Sequence, residues 1–435
     1  MKSKFSIIIF YLLSTLSYAQ GNSPFSFYGP GEFLGSTFQS NFTKSGIGVS
    51  SATPNMLNPI NPATYSNLTL TTGETGIYSS TNFLSANNTQ AIFSDANLSG
   101  FGLGFPLGNS FGAAFGLTAH TRKNYNFNYT KTLSDGNDVE EIYIGEGGLS
   151  KLFLGVGTSI NNFSFGANGH YIFGRLNNIS KEKYASNDFQ SIRFQHYTNV
   201  SGFSFNAGMQ YKLMFTTQNY FVLGSNYDLG GSHNTSNYTV GNYFSIGQAT
   251  NTNNQIVDAE FHETTPVVDT RENPIKNQMT LPSALQFGFS TGKLDHWEAS
   301  IEFKKRMLNE FLLNGVSSNF NEANTIMLGG SIIPNKKALG RSNYWKTTTY
   351  NFGLQLGNSG IEMENEELNE FGINFGFGFP LKKFKYQTET FGSSIFLSFG
   401  YLNRFNENLG VSENYLNINA SVVLNDKWFI KRKFK

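Results

Sequence analysis

Short stretches in which apolar and polar residues alternate one by one recur along most of the chain, and this rhythm narrows the possible folds more than any other feature. Near the C-terminus Leu416, Ile418, Ala420, Val422 and Leu424 share one face, with Asn417, Asn419 and Ser421 on the other. Such a period of two belongs to β-strands. The same alternation sets Phe163, Phe165, Ala167, Tyr171 and Phe173 against Ser164, Gly166, Asn168 and His170, and Trp297, Ala299, Ile301 and Phe303 against Glu298, Ser300, Glu302 and Lys304. In a soluble sandwich the apolar face would point inward and the outer face would carry charge. Here the polar faces are mostly Gly, Ser and Asn.

Composition sharpens that contrast. The 435 residues include 45 Gly, 43 Phe and 21 Tyr, yet only 14% are charged and the mean hydropathy is −0.29. So much aromatic surface with so little charge suits a wall that shows one face to lipid and the other to a polar lumen. The expected fold is all-β, a transmembrane antiparallel β-barrel. Marking each alternating run gives about fourteen strands, near 68–82, 91–106, 110–130, 138–160, 163–178, 190–215, 219–231, 277–291, 296–308, 323–333, 346–357, 368–380, 391–404 and 412–430. Tight connections centred on Leu107-Gly108, Asn161-Asn162, Thr217-Gln218 and Gly292-Lys293 read as hairpin turns at one end. The opposite connections read as longer loops, above all the Asn- and Thr-rich segment from Ser232 to Asn273, with a further loop at 309–322.

Ahead of the strands lie two other segments. Lys2 and Lys4, the apolar run Phe5 to Leu13 and the small residues around Ser17-Tyr18-Ala19 read as a signal peptide over residues 1–19, which places the mature chain in the outer membrane of a Gram-negative bacterium. Residues 20–67 do not alternate and contain Pro24, Pro30, Pro54, Pro59 and Pro62, so they are not expected to form a wall strand. The barrel is assigned to 68–435. Glycines recur on the lumen side of many strands, among them Gly102, Gly104, Gly112, Gly157, Gly166, Gly208, Gly353 and Gly376. Glycine marks close backbone approach, and from this the 20–67 segment is expected to fold inside the lumen as a hatch.

In several places the chain resembles the long-chain fatty-acid transporter family of outer-membrane proteins, FadL and its relatives, in a Bacteroidetes-type form. The matching residues are Gly46-Ile47-Gly48 and Asn61-Pro62-Ala63 in the hatch, Leu281-Pro282-Ser283-Ala284 at the eighth strand, and Asp426-Lys427-Trp428-Phe429-Ile430-Lys431-Arg432-Lys433 at the end. The resemblance implies a fourteen-stranded barrel, a hatch, and passive uptake of hydrophobic, fatty-acid-like molecules that leave sideways through a gap in the wall. It implies no residue-by-residue ligand pocket. A second reading is a non-transporting subunit or scaffold of a larger outer-membrane secretion or assembly complex, and a third is an adhesin displaying the long loop.

The chemistry-bearing residues suggest no enzyme. The histidines at 120, 170, 196, 233, 262 and 296 stand in no G-x-S-x-G or H-E-x-x-H context. With no cysteine, thiolate metal sites and thiol nucleophiles are excluded. A formal charge of +1 argues against nucleic acid as a partner. No cofactor or metal is expected; Glu362, Glu364, Glu366, Glu367 and Glu370 form the densest acidic cluster and read as a solvated loop in preference to a cation bridge. Phe25, Phe27, Tyr28, Phe33, Phe38 and Phe42 either line a hydrophobic ligand path or pack the hatch against the wall. Trp428 and Phe429 suit an interfacial aromatic girdle, and Phe434 a signal to the barrel-assembly machinery during biogenesis. Outer-membrane lipid, a hydrophobic small molecule and other outer-membrane subunits complete the expected partners. The mature chain should need detergent for solubility and migrate differently on gels before and after boiling; free solubility in water together with unchanged migration would contradict the two-faced wall.

Overall fold

A computed structural model describes residues 23–428 apart from 35–37, 52, 87–88, 135, 185–188, 251–255, 318–319, 339–340, 382–383 and 387–388. The proposed signal peptide, Phe429 and Phe434 lie outside the described residues. Fourteen antiparallel strands close into a barrel: β1 (Thr71–Ala86), β2 (Thr89–Pro106), β3 (Phe111–Arg122), β4 (Asp138–Ile160), β5 (Phe163–Tyr184), β6 (Ser191–Met214), β7 (Asn219–Asp228), β8 (Ala284–Lys293), β9 (Trp297–Arg306), β10 (Ala323–Ile332), β11 (Thr349–Met363), β12 (Glu366–Pro380), β13 (Ser394–Asn406) and β14 (Val411–Asp426). Each pairs with its sequence neighbour, and β1 zips onto β14 from Thr71↔Asp426 to Ala86↔Val411. Closure removes the free sheet edge that hydrocarbon does not tolerate.

The wall is apolar outside and polar inside. Ile77, Leu154, Phe203, Phe205, Phe287, Phe375 and Ile418 are exposed, whereas Asn168, Ser204, Asn206, Gln286, Glu302, Asn374 and Asn419 are buried. That is the reverse of a soluble core, and it follows strand parity throughout.

Two expectations about the connections need correction. Connections at the end opposite Thr71 and Asp426 include the longest but are not uniformly long: β11 turns into β12 through Glu364 and Asn365, both at positive φ, and β1 and β2 are separated by only two residues, while at the other end β10 and β11 are joined by the long stretch 333–348. The stretch from Ser232 to Asn273 is likewise not an open loop. After Leu229 and Gly230, β7 resumes as Gly231–Thr250, pairing with the first half of β6 from Asn234↔Ser201 to Phe244↔Ser191. It folds back through Ile256–His262 and Ile275–Leu281 before β8. At its start the exposed side chains, Ser232 and Asn234, and the buried ones, His233 and Thr235, are polar alike, so the stretch lacks an apolar rhythm and reads as loop. Within it, hydrogen bonds from Arg271 hold the Asp269 carboxyl down at about 2, so the ion pair persists well into acid and is lost only as pH falls through that value.

The segment 307–322 also departs from a plain surface loop. Leu308, Phe311 and Phe320 turn inward and pack with Phe25, Met279, Leu281, Ile361 and Leu368 in an apolar cluster across this mouth of the barrel.

Leu154, 67% exposed, sits on β4 six residues from the strand's last residue, Ile160, which places it at mid-wall. Leu154→Arg is expected to lower the unfolding free energy by roughly 2–4 kcal/mol in urea titrations in lipid vesicles; an unchanged midpoint would mean that this face does not meet hydrocarbon.

Candidate functional site

The residues between Ser23 and Asn67 touch strands all the way round the ring, through inward-facing groups. A 3-10 turn spans Pro62–Asn67, with Asn61 as its N-cap accepting from the Ala63 N–H at 3.1 Å. The Asn61 side chain also donates to the Val49 carbonyl at 2.8 Å and to Met209 of β6 at 3.2 Å. The Asn61-Pro62-Ala63 motif thus both starts a turn and ties it to the wall.

Room for the segment comes from glycine. A Cβ at Gly112 of β3 would lie 2.0 Å from the Tyr65 carbonyl oxygen, one at Gly166 of β5 2.3 Å from the Pro62 carbonyl carbon, and one at Gly353 of β11 2.6 Å from that of Lys44. Gly102, Gly104, Gly157, Gly208 and Gly376 abut the segment in the same way, as do Gly224 and Gly329, which sequence inspection missed. Other lumen-side glycines face wall side chains instead: Gly202 meets His233, and Gly372 meets Gln355.

Buried charges fix the segment's polar groups. Glu302 accepts from the backbone N–H groups of Gly48 at 3.1 Å and Ser50 at 2.8 Å, and from Gln286 at 2.9 Å. Gly48 of the expected signature therefore presents an N–H to a carboxylate, while Gly46 turns the chain at φ +84. Lys44 pairs with Glu298 at 2.9 Å, and Tyr220 donates to the same carboxylate at 3.0 Å. Arg404 gathers Glu32, Glu370 and Glu413 at 2.6, 2.9 and 3.1 Å; Ser23 donates to Glu413 at 2.7 Å. Burying charge is costly unless it is paired and hydrogen-bonded, and each of these carboxylates is. Glu370 is therefore no solvated loop residue, and Glu367 likewise binds Asn321 and Asn358. Among the described residues no group of three metal-ligating side chains gathers.

The aromatics of the segment divide. Phe38 is fully buried against Leu57, Tyr65 and Phe153, and Phe25 joins the mouth cluster with Tyr28 packed beside it. Phe33 and Phe42 border cavities, whereas Phe27 is exposed and packs edge-on to Tyr125. At the opposite end of the barrel the exposed Trp428 ring lies 5.7 Å from Phe105.

One interruption in the wall was invisible in the sequence. β2 pairs with β3 only from Gly100↔Thr118 to Pro106↔Gly112. Beyond Gly100, β2 continues for ten residues paired with β1 alone, and β3 bulges at His120 and resumes as Tyr125–Thr132, paired with β4 alone. A cavity of about 830 Å³ occupies this seam, lined by the outward Leu98, Phe101 and Leu117 and by Thr121, Arg122 and Leu149 from within. Ala119 borders both this space and a smaller cavity in the lumen.

The N-terminal segment covers the seam's inner side. Glu32 and Phe33 pair antiparallel with Arg122 and Thr121, and Leu34 donates to the His120 carbonyl at 3.0 Å. Gly31 reaches this edge at φ +91, where a Cβ would lie 2.0 Å from the Arg122 carbonyl oxygen, so only glycine fits. Lys123 donates to the carbonyls of Phe27 and Gly29, both at 3.1 Å. Asp95 of β2 and Arg122 of β3 form an ion pair across the gap.

Comparison with known proteins adds two findings. A family model described as BamG matches residues 1–435. Among solved structures, a Pseudomonas aeruginosa FadL homologue aligns with TM-score 0.56 at 11% identity, covering 91% of this chain and 99% of that one. The Pseudomonas putida toluene transporter TodX aligns at 0.53 and 12% identity, covering 90% and 98%. The Ralstonia pickettii toluene transporter TbuX aligns at 0.54 and 10%, covering 90% and 99%. At such identities the likeness is one of fold, and the expected FadL-like barrel is present. No curated protein sequence matches.

Gly166→Leu should expel the Pro62 turn while leaving the wall closed: the purified protein stays heat-modifiable, and limited proteolysis gains cuts within 23–67. A cleavage pattern identical to the wild type would mean that the glycines do not hold the segment.

Proposed function

The chain belongs to the BamG family, and we propose that it is an outer-membrane barrel in which small hydrophobic, fatty-acid-like molecules pass by diffusion and leave sideways through the β2/β3 seam. One observation carries the reading: the seam cavity is bordered at once by lipid-facing Leu98, Phe101 and Leu117 and by residues of the lumen. The solved neighbours TodX and TbuX, described as toluene transporters, support it through shared architecture. A hydrophobic solute moving from water toward hydrocarbon gains about 0.8 kcal/mol per methylene, so a sideways exit needs no energy coupling. In this reading residues 20–67 act as the hatch, signalled by Gly46, Gly48, Asn61, Pro62 and Ala63. Phe33 and Phe42 line the path, Phe38 anchors it, and the Asp95–Arg122 pair with the Glu32–Phe33 strand forms the part that yields.

A second reading is a subunit of an outer-membrane secretion or assembly complex, suggested by the family designation and by the charge-locked segment that crosses the lumen. The Gly231–Thr250 hairpin and the 307–322 segment would then be contact surfaces. Stoichiometric partners on gentle solubilisation favour the subunit; a lone barrel carrying lipid favours the channel.

Ala119→Trp places an indole where the lumen and seam cavities meet. Cells expressing the wild type should admit N-phenylnaphthylamine several-fold faster than cells lacking the protein, and the variant, at equal surface level, at least fivefold more slowly than the wild type. Equal entry in all three strains would remove the channel proposal.

A further inference from the structure

Within the lumen, the small cavity bordered by Ala119 carries an imbalance of charge that neither the seam nor hydrophobic passage explains. Lys151 from β4 and Lys304 and Arg306 from β9 line it together, against one lining carboxylate, Asp228 at the end of β7. The three cations feel one another: Lys304 is repelled by Arg306 and Lys151 and attracted by Asp228 and Glu302. None of the three forms an ion pair within 4 Å or a side-chain hydrogen bond among the described residues.

Nearby carboxylates are already committed. Both Glu302 oxygens are taken by Gly48, Ser50 and Gln286, and Glu370 is held by Arg404. His120 and His170 also line the space, along with the amides of Asn206, Asn226 and Gln286. Phe33 of the N-terminal segment closes one side, its ring 4.8 Å from the Arg306 guanidinium.

We infer that this cavity is a binding site for a phosphate-type oxyanion, either free inorganic phosphate or the phosphomonoester head of an amphiphile. With the histidines neutral, Asp228 in the lining and Glu302 close by, whose donors are all neutral, leave one of the three positive charges uncompensated in a site largely removed from water, where repulsion between like charges is strong. A phosphate group, with more acceptor oxygens than a monocarboxylate, can meet all three cations at once. The volume of about 90 Å³ leaves room for a tetrahedral oxyanion. Arg306 offers its forked donors, Lys151 and Lys304 their ammonium groups, and the surrounding amides the remaining hydrogen bonds.

The headgroup source has room for its tail. Lys304, Arg306, Gln286 and Phe33 also border a neighbouring cavity of about 280 Å³, whose lining includes Phe25, Leu308, Phe320 and Ile361. The inference stands apart from the proposed sideways passage, since it needs only the lumen and not the seam.

Isothermal titration of the purified barrel in nonionic detergent tests it, with inorganic phosphate, hexyl phosphate and hexanoate as probes. Hexyl phosphate should bind at least tenfold more tightly than hexanoate. Binding of inorganic phosphate as well would identify a free-anion site, and binding of hexyl phosphate alone a headgroup site. Lys151→Gln with Lys304→Gln should weaken phosphate-probe binding at least tenfold, Lys304→Arg should retain it, and Lys336→Gln on the surface should leave it unchanged, all in proteins that remain heat-modifiable. The inference is overturned if no phosphate probe binds, if hexanoate binds as tightly as hexyl phosphate, or if the folded double variant binds like the wild type.

Discussion

Inside hydrocarbon every backbone N–H and C=O must find its partner within the protein, and the architecture of this chain follows from that demand. Fourteen strands meet it by closing β1 onto β14, which leaves no outer edge except at one place. There, above Gly100, β2 and β3 separate, and part of the freed edge is served from inside: the chain's own Glu32–Phe33 stretch pairs with Thr121 and Arg122 of β3, and side chains of Lys123 and Thr121 satisfy carbonyls of residues 27–30. A short N-terminal strand thus substitutes for missing neighbour contacts in the wall.

The interior obeys a different economy. A lumen lined by Asn, Gln, Ser and Glu cannot be left dry and empty, because buried polar groups without partners cost about 1–3 kcal/mol each. The segment from Ser23 to Asn67 supplies those partners with its backbone, and the glycines of the wall bring that backbone within hydrogen-bonding range. Steric absence and polar presence work together here: Gly208 makes room for the Asn61 side chain, and Asn61 in turn donates to a carbonyl of the same strand. The charged groups Lys44, Glu298, Glu302 and Arg404 act as fixed points between which the rest of the segment is strung.

The strand pattern was legible because one face of each strand meets lipid, which writes a period of two into the sequence. The expected runs at 163–178 and 368–380 lie within β5 and β12. Legibility ended where that asymmetry ended. Gly231–Thr250 continues as strand with polar residues on both faces, so hydrophobic alternation vanishes and the stretch reads as loop. The seam was equally hidden, since a pairing lost beyond Gly100 is a property of two strands and not of either alone. Much of the N-terminal segment could be anticipated from its prolines and the wall glycines. Its locks could not: Glu302 acts on residues some 250 positions earlier and Glu32 on Arg404 near the other end of the chain, distances over which spacing carries no signal. The aromatics of the segment were open to two readings because a ring that packs and a ring that borders a cavity look alike in sequence; Phe38 and Phe33 differ only in what faces them.

The all-round contact of the N-terminal segment bears on how the barrel comes to be built. A strap touching β3, β5, β6, β9, β11 and β12 from within fits poorly with threading into a finished cylinder whose mouth is already capped by Phe311 and Phe320. Seating it is simplest while the first and last strands are still apart, with the sheet curling about it as a stave wall is drawn round a former. The sixteen-pair zip between β1 and β14 would then be the final stitch, and the strap a template that helps set the girth of the vessel enclosing it.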